Sequence, residues 1–386
     1  MTQITEAIDI APRPETPPSV TAKEADIRYY TASQFQLMWW KFKKHRLALI
    51  GSTVLGIFAF IAVFAEFLSP YTPTARTVDY LFGRPQVLHF VDAEGKFHLR
   101  PFTYSLTAVM DPKTFLLEVK EDTSKPWPVY FFVKGDPYKM WDLIKLDRHL
   151  FGVKEGHLHL LGTDKLGRDI LSRLLHATRT SLTIGVVGLF ISFFLGLIIG
   201  GVSGFFGGTI DDVIQRSIEF IRSIPTLPLW MALAAALPKD WSAQQVYFTI
   251  TLLLGLLGWT HLARRVRGKL LSLREEDFVV AARIAGSTNA RIIARHLLPS
   301  FLSYIIVDLS ISFPYMILAE TSLSFIGLGL RAPVVSWGVL LQDAQNVQSI
   351  ALYPWLFTPV AFVILSVMAF SFVGDGMRDA ADPYSR

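Results

Sequence analysis

Six stretches of this chain, residues 47–68, 181–205, 214–237, 247–263, 301–325 and 355–374, are apolar over close to the roughly 20 residues a helix needs to cross the hydrocarbon of a bilayer. Hydrocarbon offers no partner to a backbone N–H or C=O, so a single segment lies there only as a helix bonded to itself. The fold class expected is an all-α membrane protein with about six transmembrane helices. Composition agrees: 51% of the 386 residues are hydrophobic, 18% are charged, and the mean hydropathy is +0.39, displaced from the soluble norm. The third stretch differs from the others because Glu219, Arg222, Pro225 and Pro228 lie inside it. Prolines interrupt the hydrogen-bond ladder, which predicts a shorter helix there, entered from an interfacial turn.

Orientation follows from where Lys and Arg fall, since they favour the cytoplasmic side. Lys41, Lys43, Lys44 and Arg46 stand directly before the first stretch. Arg264, Arg265, Arg267, Lys269, Arg274, Arg283, Arg291 and Arg295 lie between the fourth and fifth. With six crossings both clusters fall on one side, which puts both termini in the cytoplasm. Residues 1–46 read as a cytoplasmic tail, since polar "APRPETPPSV" and a basic cluster without a small-residue cleavage site do not make a removable signal. Residues 47–68 are the first span, 69–165 an extracytoplasmic insertion, and 166–386 a core with five further spans.

The insertion alternates apolar and polar residues in "FLLEVK" and "VYFFVK", between Pro, Gly and Asp, and is expected to be β-rich with short strands. His157 and His159, one residue apart, are expected at the surface. After them comes "LGTDKLGRD", with Gly162, Asp164, Gly167, Arg168 and Asp169. A metal or catalytic role for these charges competes with a charged capping network that opens the next helix, and the network is the favoured reading. Cysteine is absent, which excludes disulfides, thiolate metal sites and cysteine nucleophiles.

The segment 273–300, "LREEDFVVAARIAGSTNARIIARHLLPS", is charged and basic although it lies between two apolar stretches. Phe278, Val279, Ala282, Ile284 and Ala285 predict a first short helix, which Gly286 ends by accepting the left-handed conformation. Ser287 or Asn289 caps a second helix, on which Arg291 and Arg295 share one face opposite Ile293 and Leu297. Pro299 suits the first turn of the span that follows. A DNA-binding helix-turn-helix has this outline, but hydrocarbon-length helices a few residues away on both sides keep it out of a major groove, and no nucleic acid is expected. A solvated basic loop accounts for the arginines but not for the apolar face, the glycine and the proline together. A docking element for another protein accounts for all of them.

Here the residues resemble a known family. "VAARIAGSTNARIIARHLLP" is similar to the EAA loop of ATP-binding-cassette importer permeases, with Ala281, Ala282, Gly286, Leu298 and Pro299 at that motif's spacing. Val280 replaces its glutamate and His296 its isoleucine, so no salt bridge can start from position 280. Three further segments, 161–182, 320–341 and 373–383, resemble the "C" permease of the oligopeptide, dipeptide and nickel branch. The resemblance implies a type I importer permease in a bacterial inner membrane, with a coupling loop at 264–299 in which Ala281, Ala282, Gly286, Ser287, Arg291, Arg295, Leu298 and Pro299 contact the ATPase. It implies a second permease subunit, two ATPase subunits that hold ATP and Mg, and an external substrate-binding protein. It implies peptides as cargo, with oligosaccharides, opines or nickel as alternatives.

This chain has no Gly-x-x-x-x-Gly-Lys-Ser/Thr phosphate loop, so it is not itself the ATPase. No cofactor or metal is expected in it, and no catalytic cluster converges. An ion-coupled secondary transporter would show internal repeats with paired broken helices, and none is legible. Asp308 in the fifth stretch is expected to face a cavity, a partner helix or an interface, because a charge at the bilayer centre costs about 2.5 to 3.5 kcal/mol, and it is a candidate for lining the substrate pathway. Glu320, carried as a second pathway candidate, is expected to hydrogen-bond towards the Gly-rich turn after it. Glu219 and Arg222, three apart, are expected to pair.

Overall fold

The computed structural model describes residues 32–110, 117–345 and 351–381. Most of the N-terminal tail, the first residues of "FLLEVK" and the end of segment 373–383 lie outside the described residues. The chain opens with α1 (Gln34–Lys44), whose start is fixed by a capping box between Ser33 and Gln36. Lys41, Lys43 and Lys44 fall in its last turn, where positive charge complements the helix dipole. His45 then breaks the helix and caps the next, α2 (Arg46–Val63), its Nδ1 accepting from Ala48 N at 3.0 Å. A single turn, α3 (Ala65–Leu68), leads into the insertion.

The insertion folds as one antiparallel sheet, β1 (His89–Val91), β2 (Phe97–Met110), β3 (Leu117–Met140) and β4 (Ile144–Val153), paired in chain order. Leu117–Lys120 and "VYFFVK" are not separate short strands. Both belong to the 24-residue β3, which pairs with β2 along its first part and with β4 along its second. His149 ties the sheet to the membrane helices: its Nδ1 lies 2.5 Å from Ser69 O and its Nε2 3.0 Å from Asp136 O.

Asp169 caps the 37-residue α4 (Ile170–Phe206), its carboxylate accepting from Ser172 N at 2.7 Å. The third apolar stretch does not form one helix. α5 (Gly208–Ser223) stops at Ile224, which the following Pro225 forces into an extended conformation, and α6 (Thr226–Ala235) begins after that proline. Then come α7 (Ala243–Leu273), the hairpin region, α10 (Leu302–Phe325), the short α11 (Trp337–Asp343) and α12 (Thr358–Ala381). Among the described residues five helices are long and apolar enough to cross a membrane: Arg46–Val63, Ile170–Phe206, Ala243–Leu273, Tyr304–Phe325 and Pro354–Ala381.

A stripe of small residues brings α4 and α7 together. Gly188, Ser192, Gly196, Gly200 and Gly204 recur every fourth residue on α4, the spacing that lets helix backbones approach within a membrane. A Cβ on Gly200 would lie 2.5 Å from Ala263 O, and one on Gly204 2.7 Å from Arg267 O. The order of these contacts shows that α4 and α7 run parallel, because Ser192 meets Gly255 while Gly204 meets Arg267. The chain between them must therefore return along their length, and it does. Asp211 of α5 binds Arg267 near one end, while Ala234 of α6 shares a core with Ile184 and Ile250 near the other.

Candidate functional site

The segment between α7 and α10 is a hairpin whose turn is closed by backbone bonds. Its first helix, α8 (Asp277–Ile284), ends as Ser287 N–H donates to Ala282 O at 3.1 Å and Gly286 N–H to Arg283 O at 3.0 Å. Gly286 has φ 79°, so these bonds make a Schellman closure around a left-handed residue. Ser287 is used up in that closure, and the first residue free to adopt cap geometry is Thr288. Its hydroxyl accepts from Arg291 N at 3.4 Å, which places the cap on neither Ser287 nor Asn289.

The second arm, α9 (residues 289–300), is less regular than expected. It comprises a turn Asn289–Arg291, a π-helical stretch Ile292–Leu297 and a turn Leu298–Ser300. Leu298 N–H bonds back to Ile293 O just ahead of Pro299, which has no N–H to continue the ladder. Phe301 separates that turn from α10, so Pro299 lies one break before the span rather than in its first turn.

The two faces of the hairpin differ sharply. Val279, Ile292 and Leu297 are fully buried against Phe205, Val266, Leu270, Phe301 and Ile305, while Ile284 is 83% exposed. Burial of three such side chains contributes about 1.5 to 3 kcal/mol each, enough to hold a short hairpin firmly on α4, α7 and α10. Ala281, Arg291, Arg295 and Pro299 are exposed, and Ala282, Ser287 and Leu298 are half-buried at the seam. A rigid platform with an apolar and cationic outer face is the result.

Charges at the base of the hairpin are paired. Arg265 of α7 meets Asp308 of α10, so of the surroundings expected for Asp308 a partner helix is the one observed. Arg267 grips Asp211 along one guanidinium edge, Nε donating to Oδ1 and Nη2 to Oδ2, both at 2.5 Å. Glu219 does not pair with Arg222. It meets Arg216, one turn earlier on α5, at 2.9 Å and Arg264 of α7 at 3.7 Å, and Arg222 instead approaches His261 of α7 at 3.5 Å, so Glu219 turns back along its own helix while Arg222 turns to the helix beside it.

A second charge cluster lies at the opening of α4. Asp164, fully buried, accepts from Leu166 N at 2.8 Å, Arg168 N at 3.0 Å, Arg168 Nε at 2.7 Å and the Arg173 guanidinium. Asp343 of α11 joins it through Arg173 at 3.1 Å and Lys165 at 3.0 Å. Burial pushes the Asp343 carboxyl up, but Arg173 and Lys165 outweigh burial and hold it below the ordinary carboxylate range. Gly162 and Gly167 have φ 74° and 70°, and a Cβ on Gly167 would strike Thr77 O. The expected capping network therefore forms, enlarged by Arg173 and Asp343, which only the tertiary fold brings in. Among the described residues no group of three or more His, Asp or Glu is placed to hold a metal ion.

His159 is buried, not on the surface, and lies in the loop after β4. Its Nδ1 stands 3.0 Å from Asp169, whose other oxygen caps α4. Glu320 is fully buried and accepts from Ser336 at 2.6 Å, Ser324 at 2.8 Å and Ser181 at 3.3 Å. Ser324 also accepts from Leu330 N at 3.1 Å, which makes the expected link to the Gly-rich turn. Glu320 thus joins α10 to α4 and to the residue that caps α11.

Known proteins are similar to this chain in sequence over most of its described helices. Residues 192–386 match the family described as binding-protein-dependent transport system inner membrane component, and residues 33–85 match the N-terminal transmembrane domain of oligopeptide transport permease C. The oligopeptide transport system permease protein OppC of Bacillus subtilis (strain 168) is 36% identical over 59% of this chain and 72% of its own length. The dipeptide transport system permease protein DppC of the same organism is 39% identical over 59% and 69%. DppC of Lactococcus lactis subsp. cremoris is 32% identical over 91% of both chains, so its match extends over the insertion. A chain of the inward-facing MetNI methionine transporter superposes with a TM-score of 0.44 at 20% identity, over 54% of this chain and 96% of that one. This chain belongs to the binding-protein-dependent transport system inner membrane component family, on its oligopeptide and dipeptide permease branch.

Proposed function

We propose that this chain is one of two permease subunits of an ATP-driven importer, and that the pair forms the pathway for oligopeptides or dipeptides. Two ATPase subunits carrying ATP and Mg would dock from the cytoplasm, and an external binding protein would deliver the cargo. The observation that carries this reading is the hairpin: a platform packed on α4, α7 and α10 that holds Ile284, Arg291 and Arg295 outward. Ala281, Ala282, Gly286 and Ser287 would set its first helix and turn against the ATPase, and Leu298 and Pro299 would fix the second arm to α10. Relatives named as oligopeptide and dipeptide permeases support the choice of cargo.

In the topology that fits this function, the interrupted pair α5–α6 makes the sixth crossing. The parallel run of α4 and α7 supports it, since a return crossing must lie between them. Both termini and the hairpin would then face the cytoplasm of a bacterial inner membrane, with residues 69–165 outside. The reading is tested by reconstitution. Uptake of peptide should require the second permease, the ATPases and the binding protein together, and uptake by this chain alone would contradict it. Ligand titration of the binding protein with peptides, oligosaccharides and nickel identifies the cargo.

A further inference from the structure

The tip of the β3–β4 hairpin stands where the first span ends. The indole Nε1 of Trp141 donates to Val63 O at 2.8 Å, and Val63 is the last residue of α2. Arg179 of α4 reaches the same carbonyl at 3.1 Å and pairs with Glu66. Charged groups at that level mark the edge of the hydrocarbon, so the depth of Trp141 is fixed at the interface, the layer that tryptophan favours.

The turn itself is unusual. Leu143 N–H donates to Met140 O at 3.0 Å, with φ 54° at Trp141 and 58° at Asp142. Two consecutive left-handed residues make a type I′ turn, which favours Asn-Gly and strains a large side chain. Strain held at one position points to a role for the residue that bears it. Trp141, Leu143 and Ile144 are 55%, 79% and 57% exposed, and the bond from Trp141 to Val63 sets them at the end of α2, a helix on which Ile57 and Phe60 are exposed as well. Next to them Lys139 and Lys145 are directly opposed in register, both exposed and without an ion pair among the described residues. Like charges facing across a strand pair repel, and a neighbouring anionic surface removes that cost.

We propose that this tip is a lipid-docking element. Trp141, Leu143 and Ile144 lie in the leaflet at the Val63 end of the first span, and Lys139 and Lys145 bind anionic headgroups. An apolar edge with basic flanks is the chemistry of interfacial anchors, and continuity with the first span selects lipid over a protein partner. The inference rests on Arg46–Val63 crossing the membrane and not on the cargo or the ATPase.

The chain has no cysteine, so Leu143→Cys carries a single environment-sensitive fluorophore. The labelled protein, assembled with its partners, is placed in nanodiscs of phosphatidylcholine with or without phosphatidylglycerol. Leu99→Cys, at a residue 89% exposed on β2, is the water-facing reference. At position 143 quenching by doxyl-labelled lipid should exceed quenching by aqueous iodide several-fold, with the reverse at position 99. Phosphatidylglycerol should increase lipid quenching at 143, and Lys139→Gln with Lys145→Gln should abolish that increase. Trp141→Asn suits the turn better, so a purely structural tryptophan leaves lipid quenching at 143 unchanged, whereas an anchor loses it. Equal iodide quenching at 143 and 99, an unchanged Trp141→Asn variant, or shielding that arises only when the binding protein is added would each overturn the proposal.

Discussion

Arg265, on the helix that enters the cytoplasm-proposed hairpin, pairs with Asp308, on the helix that leaves it. The pair closes the base of the hairpin and holds α7 and α10 at a fixed spacing. Asp308 is 3% exposed while the Arg265 side chain is 44% exposed, so the carboxylate bears most of the desolvation cost if it is left alone. Arg265→Ala should therefore destabilise more than Asp308→Ala, with about 1.5 to 3 kcal/mol lost for a charged hydrogen bond. Thermal unfolding of both variants and of Arg265→Asp/Asp308→Arg checks this. The reversed pair should recover part of the loss.

The packing of α4 on α7 predicts a wedge effect. Gly200→Val places branched carbons where a Cβ alone would lie 2.5 Å from Ala263 O. Overpacking of this kind costs about 1 to 3 kcal/mol or more. Gly201→Ala, whose Cβ would meet nothing nearer than 3.7 Å, is the control. A large drop in Tm for the first and little for the second is expected.

The cluster at the opening of α4 has a defined pH signature. The Asp343 carboxyl lies below its ordinary value, so its stabilising contribution is complete above the unfolded value of about 3.9 and is lost only as pH falls through the folded one. Between about pH 5 and about pH 8 it contributes no slope. Asp343→Asn should lower Tm by a constant amount across that window and converge with the parent only at more acid pH. Asp164→Asn, which leaves the buried Arg168 and Arg173 only Asp343 at 3.4 and 3.1 Å, should cost more than Asp343→Asn, approaching the roughly 3 to 5 kcal/mol of a broken buried pair.

The topology makes a separate prediction. Ser124 is exposed in the sheet and Ser272 at the end of α7. In intact cells an impermeant thiol reagent should label Ser124→Cys and spare Ser272→Cys. Labelling of Ser272→Cys from outside would reverse the proposed orientation.

Much of this was legible because it is local. The αL glycine, the cap at Asp169 and the break at Pro225 each follow from a few neighbouring residues, and the structure moved the hairpin cap only from Ser287 or Asn289 to Thr288. What depended on distant partners was not legible. Arg222 turned to His261 and Glu219 gained Arg264 from another helix, His159 was drawn inside by Asp169, and Asp343 entered the Asp164 cluster across 179 residues. The contact of α4 with α7 through Gly188 to Gly204 is of the same kind, since it depends on a helix more than 50 residues further along the chain.

The central claim is that the hairpin is a stiff coupling element, and Gly286 tests it most directly. A Cβ there meets nothing within 4 Å, so any effect of substitution comes from the left-handed backbone and not from a clash. That strain is about 1 to 2 kcal/mol, too little to unfold the chain but enough to displace Arg291 and Arg295. Gly268 also has open space around it but lies in the regular helix α7. The measurement is co-purification of the ATPase subunits, with substrate-stimulated ATP turnover, for Gly286→Val and Gly268→Val at matched membrane levels. The account predicts that Gly286→Val loses ATPase association or stimulated turnover while Gly268→Val retains both; parental coupling in Gly286→Val would contradict it.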